Sequence, residues 1–200
     1  MTTADHLTNV LAATERLPLG LREHIRRVRS IAVEMAKVHG LDPEHADLAA
    51  AAHDLARNFD DSDLILEMRN ANLAIHPDED ALPVLLHGPV ASHLLGSRYG
   101  IEIPEVLEAV RWHSTANRGL SRLAKLIFLA DKLDPTKITR YPFLDRVREL
   151  AHEDLDAALL EFLQRQLRVF LETDSLIHYA SIEARNELLA GSTRNISPQQ

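Results

Sequence analysis

Apolar residues recur at helical spacing along nearly the whole chain, and no period-two alternation runs long enough for a confident strand. Leu21, Ile25, Val28, Ile31 and Met35 share one helix face, and His39-Gly40 ends that run. Asp42-Pro43 reads as a cap and a first helical residue, opening EHADLAAAAHDLAR as one closely packed helix through Arg57. Further helices are expected over 61–70, from Gly88-Pro89, from Pro104, and over 120–133, 143–151, 154–171 and 181–189. Residues 71–84, with Asn72, Pro77 and Pro83, read as irregular. The expectation is a single all-α domain over 1–190, a bundle of roughly nine or ten helices, with 191–200 (GSTRNISPQQ) as a flexible tail.

Composition narrows the chemistry. Aromatics are only 4% of the 200 residues, so the core must be built from Leu, Ala, Val and Ile. The absence of cysteine excludes disulfides, thiolate metal sites and a cysteine nucleophile. The first ten residues have no basic segment leading into an apolar run, and no stretch approaches the ~18 apolar residues of a membrane span. A cytoplasmic location with no membrane partner is expected. A net charge of −8 argues against a nucleic acid polymer as partner. A small phosphorylated molecule stays compatible with that charge if metal ions reverse the local field.

Six metal-capable side chains stand in such contexts: His24, the adjacent His53-Asp54, His87, His113 and Asp131. His24 falls on or beside the apolar face of its helix, where a lone histidine is more often a hydrogen-bonded core residue than a ligand. His53-Asp54 follows four alanines, and a carboxylate there has no capping role and must be paired or metal-bound. His87 precedes Gly88-Pro89, and His113 follows Trp112; a cap and a half-buried ring are their ordinary alternatives. Asp131 interrupts LAKLIFLADKL close to the buried face, where an ion pair with Lys132 is the competing account. His6, His39, His45, His76, His93, His152 and His178 lack comparable settings and read as solvated or capping.

The series H…HD…H…H…D, carried by REHIRRV, AAAHDLAR, LLHGPV, WHST and LAKLIFLADKLDP, resembles the HD-domain metal-dependent phosphohydrolases. With RELAHEDLDAAL, it resembles in particular the bacterial YqeK family, from about Leu17 to Leu189. That resemblance implies symmetrical hydrolysis of diadenosine tetraphosphate to two ADP, with iron, or manganese or another first-row ion, as cofactor. One ion would be held by His24, His53, Asp54 and Asp131, and a second by His87 and His113, with Asp54 bridging. Arg57 stands where the family usually has lysine, His113-Ser114-Thr115-Ala116 lacks the glycine of an HTTG-like segment, and ADKLDPTK puts Lys137 at an arginine position.

The mechanism expected from this pattern is attack by a metal-activated water on phosphorus. Asp54, Arg57 and Lys132 are the expected catalytic groups. Arg22, Arg57, Thr115 and Lys132 are the expected substrate contacts, offsetting polyphosphate charge or donating a hydrogen bond. The partner is then a dinucleoside polyphosphate or another nucleotide, and a homodimer stays open. Two rival readings remain: an HD phosphohydrolase for a nucleoside mono- or triphosphate, and a non-catalytic nucleotide-binding helical module.

Overall fold

The computed structural model describes residues 1–194. Among these are eleven α-helices, two short 3-10 turns and no strand. The centre of the bundle is the alanine run. Helix α3 (Pro43–Ala52) starts at Asp42, whose side chain accepts from the Glu44 amide at 2.8 Å, and Pro43 occupies the first turn. Ala46, Ala49, Ala50, Ala51 and Ala52 are fully buried. Their methyl groups let neighbouring helix axes approach closely. Helix α2 (Leu19–Val38) lies on α3 through Val28, Ala32, Met35 and Ala36. Helix α7 (Pro104–Trp112) and helix α8 (Arg122–Lys132) pack on α3 as well.

Helix α1 (Thr3–Thr14) was not read from the sequence. A Thr2/Asp5 capping box starts it, and Val10 buries it against α3. Helix α4 (Asp61–Asn70) follows as expected. The segment read as irregular contains helix α5 (Pro77–Ala81), capped by His76 and Glu79, and the 3-10 turn Pro83–Leu86. These additions bring the count to eleven rather than nine or ten.

Helix α6 (His87–Tyr99) meets α7 at Gly88, where a Cβ would lie 2.6 Å from the Arg111 carbonyl oxygen. Glycine is therefore what permits the close crossing. Helices α9 (Leu144–Glu153), α10 (Leu155–Glu172) and α11 (Tyr179–Arg194) complete the bundle. One core runs from Val10 to Leu188. Helix α11 continues to Arg194, past the expected boundary at 190, and 195–200 lie outside the described residues.

The helix expected through Arg57 stops at Ala52, and His53 is its C-terminal cap in a run of turns. The physical reason is local: the His53 ring takes the Ala50 carbonyl that a continuing helix would have used.

Candidate metal centre

Three histidines are placed by the same device. His53 closes α3, His113 closes α7, and His87 closes the 3-10 turn Pro83–Leu86. Carbonyls at such ends lack intrahelical partners. Each ring takes one, three residues back: His53 Nδ1 donates to the Ala50 oxygen at 2.7 Å and His113 Nδ1 to the Val110 oxygen at 2.8 Å. His87 Nδ1 donates to the Val84 oxygen, which differs in that it already accepts the His87 backbone amide. His24, on α2, instead donates from Nδ1 to the Asp134 carboxylate at 2.5 Å. Asp134 is fully buried and also accepts from Arg27 at 2.9 and 3.0 Å and from the Thr136 amide at 3.0 Å.

With every Nδ1 donating, the Nε2 atom of each neutral ring carries a lone pair, and all four Nε2 atoms face one another. His87 and His113 bring theirs to 2.9 Å, and His24 and His53 to 3.3 Å. Two imidazole lone pairs at hydrogen-bond distance repel unless a cation or proton sits between them. Asp54 lies between the two pairs. Its Oδ2 is 3.4 Å from His53 and 3.7 Å from His24, and its Oδ1 is 3.3 Å from His87 and 3.5 Å from His113. Asp131 Oδ1 closes the first pair, 3.0 Å from His24. The triads His24–His53–Asp131 and His53–Asp54–His113 each gather ligand atoms within 4.8 Å. Nitrogen and carboxylate donors in this number suit divalent first-row ions, and the orienting Nδ1 bonds are what such a centre needs.

Charge follows the same plan. Burial works against the Asp54 charge, yet the His53, His113 and His87 rings beside it hold its carboxyl well below the usual range. Asp131 is likewise held down despite burial, by Lys132 and Lys137 and by the His24 hydrogen bond. Burial, with His87 and His53 alongside, pushes His113 down to about 4. At His53 the nearby Asp54 and Asp131 charges reverse the effect of burial and raise its pKa. One imidazole thus favours the neutral form and its neighbour the charged one, an arrangement typical of functional sites.

The centre opens into a cleft of about 810 Å³ walled by Arg57, Lys137 and Arg140, with Ser114 at its floor. All six metal-capable residues read from the sequence come together. The substrate contacts fare unevenly. Arg57 is exposed and lines the cleft. Lys132 lines it too, but its ammonium is engaged by Asp131 at 2.6 Å and by the His113 carbonyl at 3.1 Å.

Arg22 and Thr115 are not brought there. Arg22 turns away to Glu15 at 2.7 Å, because the ring of His24, two residues on, points to the opposite side of α2. Thr115 is buried with its hydroxyl on the Ala116 carbonyl, and Ala116 adopts a positive φ of 57° that turns the chain at this point. Ser114 takes the place at the cleft, its hydroxyl 3.1 Å from both His87 and His113 Nε2. Asp134, Ser114, Lys137 and Arg140 were not among the expected functional residues. The available signals are the Asp-Pro pair at 134–135, which reads more simply as a cap, and Lys137 at an arginine position of the resembling segment. A third His/Asp group, His76, Asp78 and His178, lies outside the cleft.

A helical domain that collects these histidines and aspartates at one mouth defines a metal-dependent phosphohydrolase of the all-α class. A family model described as HD domain matches residues 21–136. The symmetrical bis(5'-nucleosyl)-tetraphosphatase of Halalkalibacterium halodurans is 31% identical over 84% of this chain and 88% of its own length. That of Bacillus subtilis is 28% identical over 84% of this chain and 89% of its own. A crystal structure from Clostridium acetobutylicum, described as a predicted HD superfamily hydrolase involved in NAD metabolism, superposes with a TM-score of 0.87 at 28% identity, covering 96% of this chain and 99% of that one. The chain belongs to the HD-domain family, on the branch of the symmetrical bis(5'-nucleosyl)-tetraphosphatases.

Proposed function

We propose that this protein hydrolyses diadenosine tetraphosphate symmetrically to two ADP. The observation that supports this most is the placement of Asp54 between two facing histidine pairs at the base of a cation-walled cleft. The names of the relatives, which match over most of their length, point to the same substrate.

His24, His53, Asp54 and Asp131 would hold one divalent ion, and His87, His113 and the other Asp54 oxygen a second, iron being favoured over manganese. Such ions, when bound, polarise phosphoryl oxygens and acidify water. The chain supplies the rest. The Nδ1 bonds keep each ring in the ligating tautomer and orientation. Lys132 and Lys137 balance the Asp131 charge, so the carboxylate stays ionised in its buried position. Arg57 and Arg140 line the wall to receive phosphate oxygens, Arg140 with its guanidinium 5.3 Å from the Tyr141 ring centre, arginine offering two parallel donors. The Ser114 hydroxyl, beside both His87 and His113, is placed to orient a water or a phosphoryl oxygen by hydrogen bonding.

The substrate is a small nucleotide rather than a nucleic acid polymer, the setting cytoplasmic, and a homodimer compatible with the exposed cleft. Among the described residues no helix is long and apolar enough to cross a membrane. Chromatography of the products from diadenosine tetraphosphate tests the reading: two ADP are expected, and ATP plus AMP would exclude the symmetrical cut. Asp54→Ala should lose metal and turnover together, and a variant keeping both would refute the assignment.

A further inference from the structure

The cleft continues beyond the metal centre, and its far end has a different chemistry. The path can be followed through contacts. Lys137 reaches Asp131 at the centre, and Tyr141 sits one helical turn beyond Lys137, its amide on the Lys137 carbonyl at 2.9 Å. The Tyr141 hydroxyl accepts from the Gln166 side-chain nitrogen at 3.4 Å. Gln166 and Phe170 are four residues apart on α10, so they present to the cleft from one face. Leu176 lines the same end.

Two features there have no structural use. Gln166 is buried, and its side-chain oxygen accepts no hydrogen bond from the described residues. That oxygen is not one of the sealed, unpartnered polar atoms, which are His6 Nδ1, Arg22 Nε and His178 Nε2, so it is reached from the cleft that Gln166 lines. Phe170 is half-buried and takes part in none of the ring contacts that join Tyr141, Phe143 and Phe162, while Leu176 is 41% exposed. An unstacked aromatic face and an apolar side chain at one end of the cleft, with an amide one turn below, have the chemistry of a slot for a planar heterocycle.

We propose that Gln166, Phe170 and Leu176 form a nucleobase subsite that selects a 6-amino purine. Phe170 and Leu176 sandwich the ring, and Gln166 reads its edge. With the amide nitrogen directed at Tyr141, the oxygen is left as an acceptor for an exocyclic amine, and a 6-oxo purine would set oxygen against oxygen. Lys137 and Arg140, lying between this end and the centre, accompany the phosphates that join base to scissile bond. This subsite rests on the nucleotide reading of the cleft given above.

The test is equilibrium binding of ADP, IDP and pyrophosphate to the metal-loaded protein by calorimetry, with the wild type, Gln166→Leu and Phe170→Ala. ADP should bind the wild type at least about tenfold more tightly than IDP, in which an oxygen replaces the amine that donates to Gln166 and N1 gains a proton. Gln166→Leu should erase that preference while pyrophosphate affinity is kept. Phe170→Ala, at a half-exposed position, should weaken ADP and IDP alike. A wild type that does not distinguish ADP from IDP, or a Gln166→Leu protein that still does, would overturn the subsite. Both outcomes are separable from the activity. Preference through Gln166 without production of ADP would sink the proposed reaction and leave the subsite standing, and two ADP with no role for Gln166 would do the reverse.

Discussion

His87 Nε2 lies 2.9 Å from His113 Nε2, although both rings donate Nδ1 to backbone carbonyls. Lone pair therefore faces lone pair at the buried base of the cleft. A cation between them relieves this and binds only the folded chain. Chelation should accordingly lower the thermal midpoint, by roughly 5 °C or more for a metal present well above its dissociation constant. Scanning calorimetry with and without chelator measures it. The shift should shrink in His113→Ala, and an equal shift in that variant would place the stabilising ion elsewhere.

Asp134 holds His24 by its Nδ1 and is itself held by Arg27. Burial disfavours its charge, but the Arg27 and His24 hydrogen bonds keep its carboxyl well below the ordinary range. Asp134→Asn keeps the shape and removes the charge that orients the ring. Loss of such an outer partner typically weakens metal binding about 10–100-fold. Metal titration of the variant should show that loss at one of two equivalents; unchanged affinity at both would relieve Asp134 of this role.

Arg57 and Arg22 provide a contrast between neighbours in charge but not in place. Arg57 lines the cleft, and Arg22 is paired with Glu15 away from it. Arg57→Ala should raise KM about tenfold, the loss of one charge-assisted hydrogen bond. Arg22→Ala should leave KM within about twofold. Steady-state kinetics with the tetraphosphate would reveal a reversed order, which would return Arg22 to the substrate path.

Glu79 is buried, accepts from the His76 amide at 2.8 Å and lies 3.7 Å from His178 Nε2. Burial tends to raise its pKa, but the adjacent His178 ring and the hydrogen bond from the His76 amide lower it from the usual 4.5. A depressed carboxyl pKa stabilises the fold above the unfolded value, and that contribution is lost as pH falls through the folded value. Glu79→Gln cannot titrate. Denaturant unfolding of metal-free protein should show wild type more stable at pH 7, with the gap closing as pH drops below about 4.5. A gap constant with pH would assign Glu79 a purely steric part.

Helical periodicity was enough to find α2, α3, α4, α6, α7, α8, α9, α10 and α11, because a buried stripe repeats on a scale of a few residues. It did not find α1 or α5. There the deciding events are caps, Thr2 with Asp5 and His76 with Glu79, followed by docking of α1 onto α3 and of α5 onto the 3-10 turn Pro83–Leu86. The alanine run suggested a helix through Arg57, and the His53 ring on the Ala50 carbonyl ended it at Ala52, five residues sooner.

By itself the sequence determined the donor inventory: four histidines and two aspartates in settings where charge and polarity need a partner, in a chain without thiols. Which cations face the cleft was decided only in three dimensions. Arg22 and Thr115 have suitable chemistry, but a helix face and a turn direct them elsewhere, while Ser114, Gln166 and Lys137 gain their places from partners 27, 25 and 6 residues away in sequence. Side-chain type is written locally. The direction of a side chain depends on which backbone carbonyls are left unpaired and which helices cross nearby, and those are properties of the packed bundle.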